Sequence, residues 1–258
     1  MYHVLHKHPE VFLTPVKETN FFDLNYEKGV NWYESFFSDS KGNKVVGEVG
    51  HRYFRQEGVA GKIKDTLEKP KLIVGLREPC SYFVSDYLYS KKNGMFHGDT
   101  TDYASEKFSW DVLEYKKYFS VYADTFPLED IFIYDFNELK TNPKKLYLNL
   151  CSFLKIENCH WDVSFAEPVN KASSSRNPKM ARALKILSIY LKRLGGQKVI
   201  AYGKKNSLLK RLLYKELKEQ PVLSSMIKAE LIDKSRPNVE WMDKTFSLNL
   251  IESWGYKR

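Results

Sequence analysis

Residues 71–89, KLIVGLREPCSYFVSDYLY, constrain the fold more than any other stretch of this 258-residue chain. Leu72-Ile73-Val74-Gly75-Leu76 is a short apolar run, the length of a strand buried in a parallel sheet. Arg77-Glu78-Pro79 ends it, and proline suits the first turn of a new helix, where its missing N–H is not needed. Tyr82, Phe83, Tyr87 and Leu88 then follow at helical spacing. Arg77 therefore falls just past the carboxyl end of a strand, where open α/β sheets bind their ligands. Ser85 lies about two turns along the helix and can reach back toward the same anion.

The chain is long enough to bury a substantial core as one large domain, with a basic helical part from about residue 171. A hydrophobic content of 43% with 15% aromatic residues excludes a disordered chain. No apolar run approaches the ~20 residues that span a bilayer. The start, MYHVLHKHPEVF, lacks the basic end and apolar run of a signal peptide. Cys80, Cys151 and Cys159 make no disulfide framework, so a cytoplasmic location is expected. The net charge of +9 is concentrated: residues 171–215 hold thirteen Lys and Arg and no Asp or Glu. That segment should attract an anionic cofactor, an acidic substrate, nucleic acid or a membrane surface.

In chain order, Tyr2–Lys7 reads as the tail of a helix. His3, His6 and His8 have no second ligand cluster to complete a metal site, and read as surface residues. Residues 8–22, with Pro9 and Pro15, read as a loop ending on Phe21-Phe22. Asn31–Phe37 reads as an aromatic helix face in the core, and Lys44–Gly50 as a strand. Phe108–Thr125 predicts an amphipathic helix and Ile131–Tyr134 a strand. A further helix opens at Asn142-Pro143 and ends at Phe153-Leu154. Asn170–Pro178 predicts a polar, turn-forming loop. Met180–Leu194 and Asn206–Leu217 predict two basic amphipathic helices. Docking of their leucine sides on the core explains the pattern more cheaply than a membrane-surface role, which needs an open apolar face.

Four blocks share order and spacing with a known family: HPEVFLTPVKETNFF at 8–22, Gly47, Glu48 and Tyr53 within 44–54, the Arg-x-Pro helix at 71–89, and 131–154 with its Pro143 and Phe153-Leu154. The chain resembles the sulfotransferases that use 3′-phosphoadenosine 5′-phosphosulfate (PAPS). The closing Arg236-Pro237-Asn238, Leu248 and Trp254 are similar too. The resemblance implies an α/β fold of the P-loop NTPase-like kind, a parallel sheet with helices on both faces. It implies in-line transfer of a sulfuryl group from PAPS, without a metal, to a hydroxyl or amine of a carbohydrate-like acceptor. It puts Arg77 and Ser85 on the 3′-phosphate and Arg176, in the Ser-rich loop, over the nucleotide.

The resemblance makes Glu18 the general base that takes the acceptor's proton. The alternative is a solvated loop glutamate beside Lys17. Val49 departs from the family, whose glycan branch often has a lysine there. His51 could substitute as a cation, serve as the base instead, or be structural. Lys17-Glu18 and the basic segment suggest an anionic glycan as partner. No helix-turn-helix, zinc or RNA-binding motif supports nucleic acid.

The family begins with a strand and a glycine-rich loop that cradles the 5′-phosphosulfate. The resemblance here starts at Tyr2, just after where that loop should be. The expectation is a truncated reading frame lacking that strand and loop, with an inactive natural short form as the alternative. The rivals from other classes are a basic nucleic-acid- or membrane-surface-binding protein and a nucleotide kinase of related fold.

Overall fold

The computed structural model describes residues 2–40, 42–158, 161–162, 173–193, 213–216 and 221–256. In chain order the elements are α1 (Tyr2–His6), β1 (Val11–Leu13), α2 (Phe21–Leu24), α3 (Val30–Glu34), β2 (Val45–Gly47), α4 (Val59–Thr66), β3 (Leu72–Leu76) and α5 (Pro79–Lys92). They continue with α6 (Thr100–Glu106), α7 (Tyr115–Thr125), β4 (Ile131–Asp135), α8 (Glu138–Thr141), α9 (Pro143–Leu154) and β5 (Ser173–Ser175). The last are α10 (Pro178–Arg193), β6 (Tyr214–Glu216), α11 (Ser225–Phe246) and α12 (Leu250–Ser253). The chain divides into two compact units.

The first unit comprises Met1–Arg77, Glu114–Glu167 and Asn238–Trp254. It is an α/β unit built on two parallel strand pairs. β1 pairs with β2, Val11 opposite Val45, and β3 with β4 from Leu72 opposite Ile131 to Leu76 opposite Asp135. Strand side chains alternate between two helical layers. Ile73 and Phe132 join Val11 and Leu13 in a core with α1 and α9, through Leu5, Tyr147, Leu150 and Leu154. Leu72, Ile131 and Ile133 face the other way, into a core with Phe21, Phe22, Tyr33, Ile63 and Tyr122 from α2, α3, α4 and α7. Helices thus cover both faces, as the family resemblance implied. Gly75 fits because its strand partner is large: a Cβ there would lie 2.6 Å from the Tyr134 ring.

Four sequence expectations need correction. Residues 8–22 are not all loop: Val11–Leu13 form a strand, because an apolar triplet finds a parallel partner in Val45–Gly47. β3 is not fully buried. Leu72, Ile73 and Val74 are half-buried and Gly75 is exposed, since among the described residues β3 pairs with β4 alone. The Phe108–Thr125 helix is broken, with a 3₁₀ turn at Trp110–Leu113 before α7 begins at Tyr115. His8, read as a surface residue, is buried: Nδ1 accepts from the Glu10 N–H at 3.2 Å, so Nε2–H donates to the Glu157 carbonyl at 2.8 Å.

The second unit comprises Glu78–Leu113, Pro168–Pro237 and Gly255–Arg258. Its core joins Phe83 and Tyr87 of α5 to Tyr103, Phe108, Ile227 and Leu231. Pro79 opens α5 as predicted, and the Glu78 carboxylate caps it by accepting from the Cys80 and Ser81 N–H groups. Residues 170–178 are not simply a loop: Ser173–Ser175 pair antiparallel with Tyr214–Glu216. Tyr214–Glu216 is thus strand where a helix over Asn206–Leu217 was expected, and most of that range lies outside the described residues. α10 forms as predicted but docks by a different side, with Ala181 buried and Leu184 and Leu187 exposed. Among the described residues no helix is long and apolar enough to cross a membrane.

Candidate functional site

Parallel pairing of β1 with β2 carries the segments that leave both strands forward side by side. Beyond the strands the Thr14 N–H donates to the Gly47 carbonyl at 3.1 Å and the Glu18 N–H to the Val49 carbonyl at 2.9 Å. That register brings Glu18 and His51 together, with His51 Nδ1 2.9 Å from Glu18 Oε1. The Glu18 side chain keeps 29% of its surface accessible, so the carboxylate is sheltered yet reachable. His51 is more open, at 67%. Two residues that the sequence offered as alternatives for one role are therefore partners. Lys17, the neighbour in the solvated-loop reading, lays its ammonium 3.6 Å from the Tyr2 ring centroid.

Glu18 is held in the left-handed region, φ 60°, and Asn20 likewise at 52°. Such conformations cost about 1–3 kcal/mol each for residues other than glycine. Thr19, between them and fully buried, anchors the turn. Its hydroxyl donates to Glu48 Oε2 at 2.5 Å, while Oε1 accepts from Tyr53 at 2.9 Å and Tyr33 at 3.1 Å. The Phe21 N–H adds a bond to the Tyr53 hydroxyl at 2.9 Å. Burial raises the Glu48 carboxyl above its ordinary range, opposed by the hydroxyls of Thr19, Tyr53 and Tyr33. Burial also raises the Tyr53 and Tyr33 hydroxyls, with the Glu48 charge adding to the effect. The clasp fixes the backbone that carries Glu18. Next to it, Arg52 Nε meets the buried Asp23 carboxylate at 2.7 Å.

Arg77 follows β3 as the sequence predicted. Its guanidinium lies 5.0 Å from the Phe136 ring centroid, and its carbonyl accepts from the Tyr115 hydroxyl at 3.3 Å. Phe136 is placed by the Phe136 N–H bond to the Leu76 carbonyl, 2.6 Å, and by the buried Asp135 beside it. Asp135 accepts from the Asn137 N–H at 2.9 Å and the Trp254 indole at 3.0 Å, which gives the closing tryptophan a structural task. In the second unit, Ser85 is half-buried on α5, with no hydrogen-bond partner for its hydroxyl among the described residues. Arg176 extends the β5–β6 ladder: its N–H donates to the Leu213 carbonyl at 2.8 Å and its Nε to that of Tyr214 at 3.3 Å.

The sulfotransferase domain model matches residues 3–189. The chain belongs to the sulfotransferase domain family. Heparan sulfate glucosamine 3-O-sulfotransferase 5 of Mus musculus is 29% identical over 156 residues, covering 54% of this chain and 44% of that protein. Membrane-associated sulfotransferase kil1 of Dictyostelium discoideum is 32% identical over 89 residues, covering 33% of this chain and 19% of that protein. The chain thus spans less than half the length of these curated relatives. The crystal structure of a sulfotransferase from Alicyclobacillus acidocaldarius shares the fold, with a TM-score of 0.67 at 16% identity over 97% of this chain and 91% of that one.

Sequence reasoning passed over Thr19, Tyr33, Asp23, Arg52 and Phe136. The signal for the clasp was the pair Glu48 and Tyr53, which the 44–54 block already joined. The other two hydroxyl partners, Thr19 and Tyr33, come from a turn and a helix that no local pattern links to it.

Proposed function

We propose that this domain moves a sulfuryl group from PAPS to a hydroxyl or amine of an anionic, glycan-type acceptor. The observation that carries the reading is the Glu18–His51 contact on a turn locked by Glu48, within a chain of the sulfotransferase family. Glu18 takes the proton of the acceptor hydroxyl as that oxygen bonds to sulfur. His51 Nδ1 holds Glu18 Oε1 and so orients the carboxylate that takes this proton. PAPS, when bound, supplies the sulfuryl group and leaves as adenosine 3′,5′-bisphosphate.

In this reading, as the family resemblance implies, Arg77 and Ser85 hold the 3′-phosphate of that nucleotide. Arg77 offers a guanidinium at the carboxyl end of β3, oriented by Phe136, and Ser85 offers a hydroxyl with no partner among the described residues. Phosphate recognition by guanidinium is charge-assisted and among the stronger hydrogen-bonding arrangements. Arg176 closes over the nucleotide in this reading. A glycan acceptor is supported by the names of the heparan sulfate relatives and by the basic segment 171–215.

The test is sulfuryl transfer to desulfated heparan-type glycan and to a simple alcohol, beside Glu18→Gln and His51→Gln. Transfer to the glycan, abolished by Glu18→Gln and only reduced by His51→Gln, is expected. Full activity in Glu18→Gln with loss in His51→Gln would make the histidine the base. A preference for the alcohol would remove the glycan.

A further inference from the structure

Helix α10 is amphipathic, yet it docks with the wrong side for a helix that belongs to a core. A surface helix normally turns its apolar stripe inward. α10 instead buries Ala181, and Lys185 and Ser188 on the same side are half-buried. The Lys185 ammonium bonds the Tyr89 hydroxyl of α5 at 2.5 Å. Gly94, just past α5 with φ +64°, touches the start of the helix so closely that a Cβ would sit 2.1 Å from the Pro178 carbonyl oxygen. Met180, Leu184 and Leu187, one stripe at i, i+4 and i+7, face away and are 42%, 39% and 53% exposed. Tyr190 at 60% and Ile186 at 45% widen that open side. Lys179 and Arg182 flank it, also exposed.

We propose that this face of α10 lies on an anionic membrane surface, with the apolar stripe in the headgroup boundary and the flanking cations on lipid phosphates and carboxylates. Charge complementarity chooses the occupant. The helix sits in a segment of thirteen Lys and Arg and no acidic residue, which suits a surface of anionic lipid. Nucleic acid would use the cations and leave the apolar stripe in water. A second copy would cover the stripe but bring two such basic segments together. Among the described residues no helix is long and apolar enough to cross a bilayer, and in this proposal α10 lies in the interface plane.

The experiment is co-sedimentation of the full chain with phosphatidylcholine vesicles, with and without phosphatidylserine, at low and high salt. Arg182→Ala, the double variant Leu184→Glu/Leu187→Glu and the wild type are compared, each with its melting temperature. Binding is expected only to the phosphatidylserine vesicles and should weaken with salt. It should fall about fivefold in Arg182→Ala and vanish in the double variant, whose melting temperature holds. Three results would overturn the proposal. One is no vesicle binding, with a lowered melting temperature in the double variant, which means that the chain itself covers the face. Another is no vesicle binding, with a dimer that the double variant abolishes. The third is vesicle binding that the double variant leaves intact.

Discussion

The turn at residues 18–20 and helix α10 treat polar and apolar groups in opposite ways. At the turn a carboxylate, a threonine and two tyrosines are drawn inside and satisfy one another, and two strained residues are held in place as a result. On α10 the small and basic side is turned inward while methionine and leucines meet solvent. A buried hydrogen-bonded network fixes geometry, because leaving any member unpaired is costly. An open apolar stripe fixes nothing within its own unit, so its use lies with what it meets. Substitutions should therefore act on reaction rate and stability at the first region and on association at the second.

The largest effect should come from Glu18→Gln, with a loss of about 10²–10⁴-fold in transfer rate and little change in melting temperature. A loss of stability instead would make Glu18 part of the clasp rather than its cargo. Next comes Thr19→Val, which removes the hydroxyl donor to Glu48 Oε2. It should destabilise the fold by about 1–3 kcal/mol in urea unfolding, and lower the rate through the displaced Glu18.

Glu48→Gln sharpens the same point through pH. With burial raising the Glu48 carboxyl above its ordinary 4.5, the folded chain holds a proton that the unfolded chain has already released. Stability from this group is therefore present below 4.5 and falls as pH rises through the raised value. Melting curves across that interval should slope down in the wild type and be flatter in Glu48→Gln. The smallest effect on stability, within about 0.5 kcal/mol, should come from Leu187→Ala on the open side of α10. A loss of about 2–5 kcal/mol would mean that the leucine is buried in solution and the contrast false.

What the sequence made legible follows the range of each signal. β3 and α9 were readable to the residue because an apolar run met Arg77-Glu78-Pro79, and because Asn142-Pro143 opened a leucine-rich helix. β1 was not, since three residues in a proline-containing segment carry too little pattern and the strand exists through its partner at Val45–Gly47. β5 was hidden for the same reason, as a run of serines shows no alternation and its partner lies about forty residues on. Glu18 and His51 were both named, but their contact depends on the register of two distant segments. The α10 helix was plain from its period, whereas the side that docks is set by Tyr89 and Gly94 on another helix.

The most direct test of the sulfotransferase account is calorimetric titration of the folded chain with adenosine 3′,5′-bisphosphate, beside Arg77→Ala. Saturable binding in the wild type that Arg77→Ala removes is the result the account requires. Equal binding by both proteins, or none by a chain shown to be folded, would contradict it.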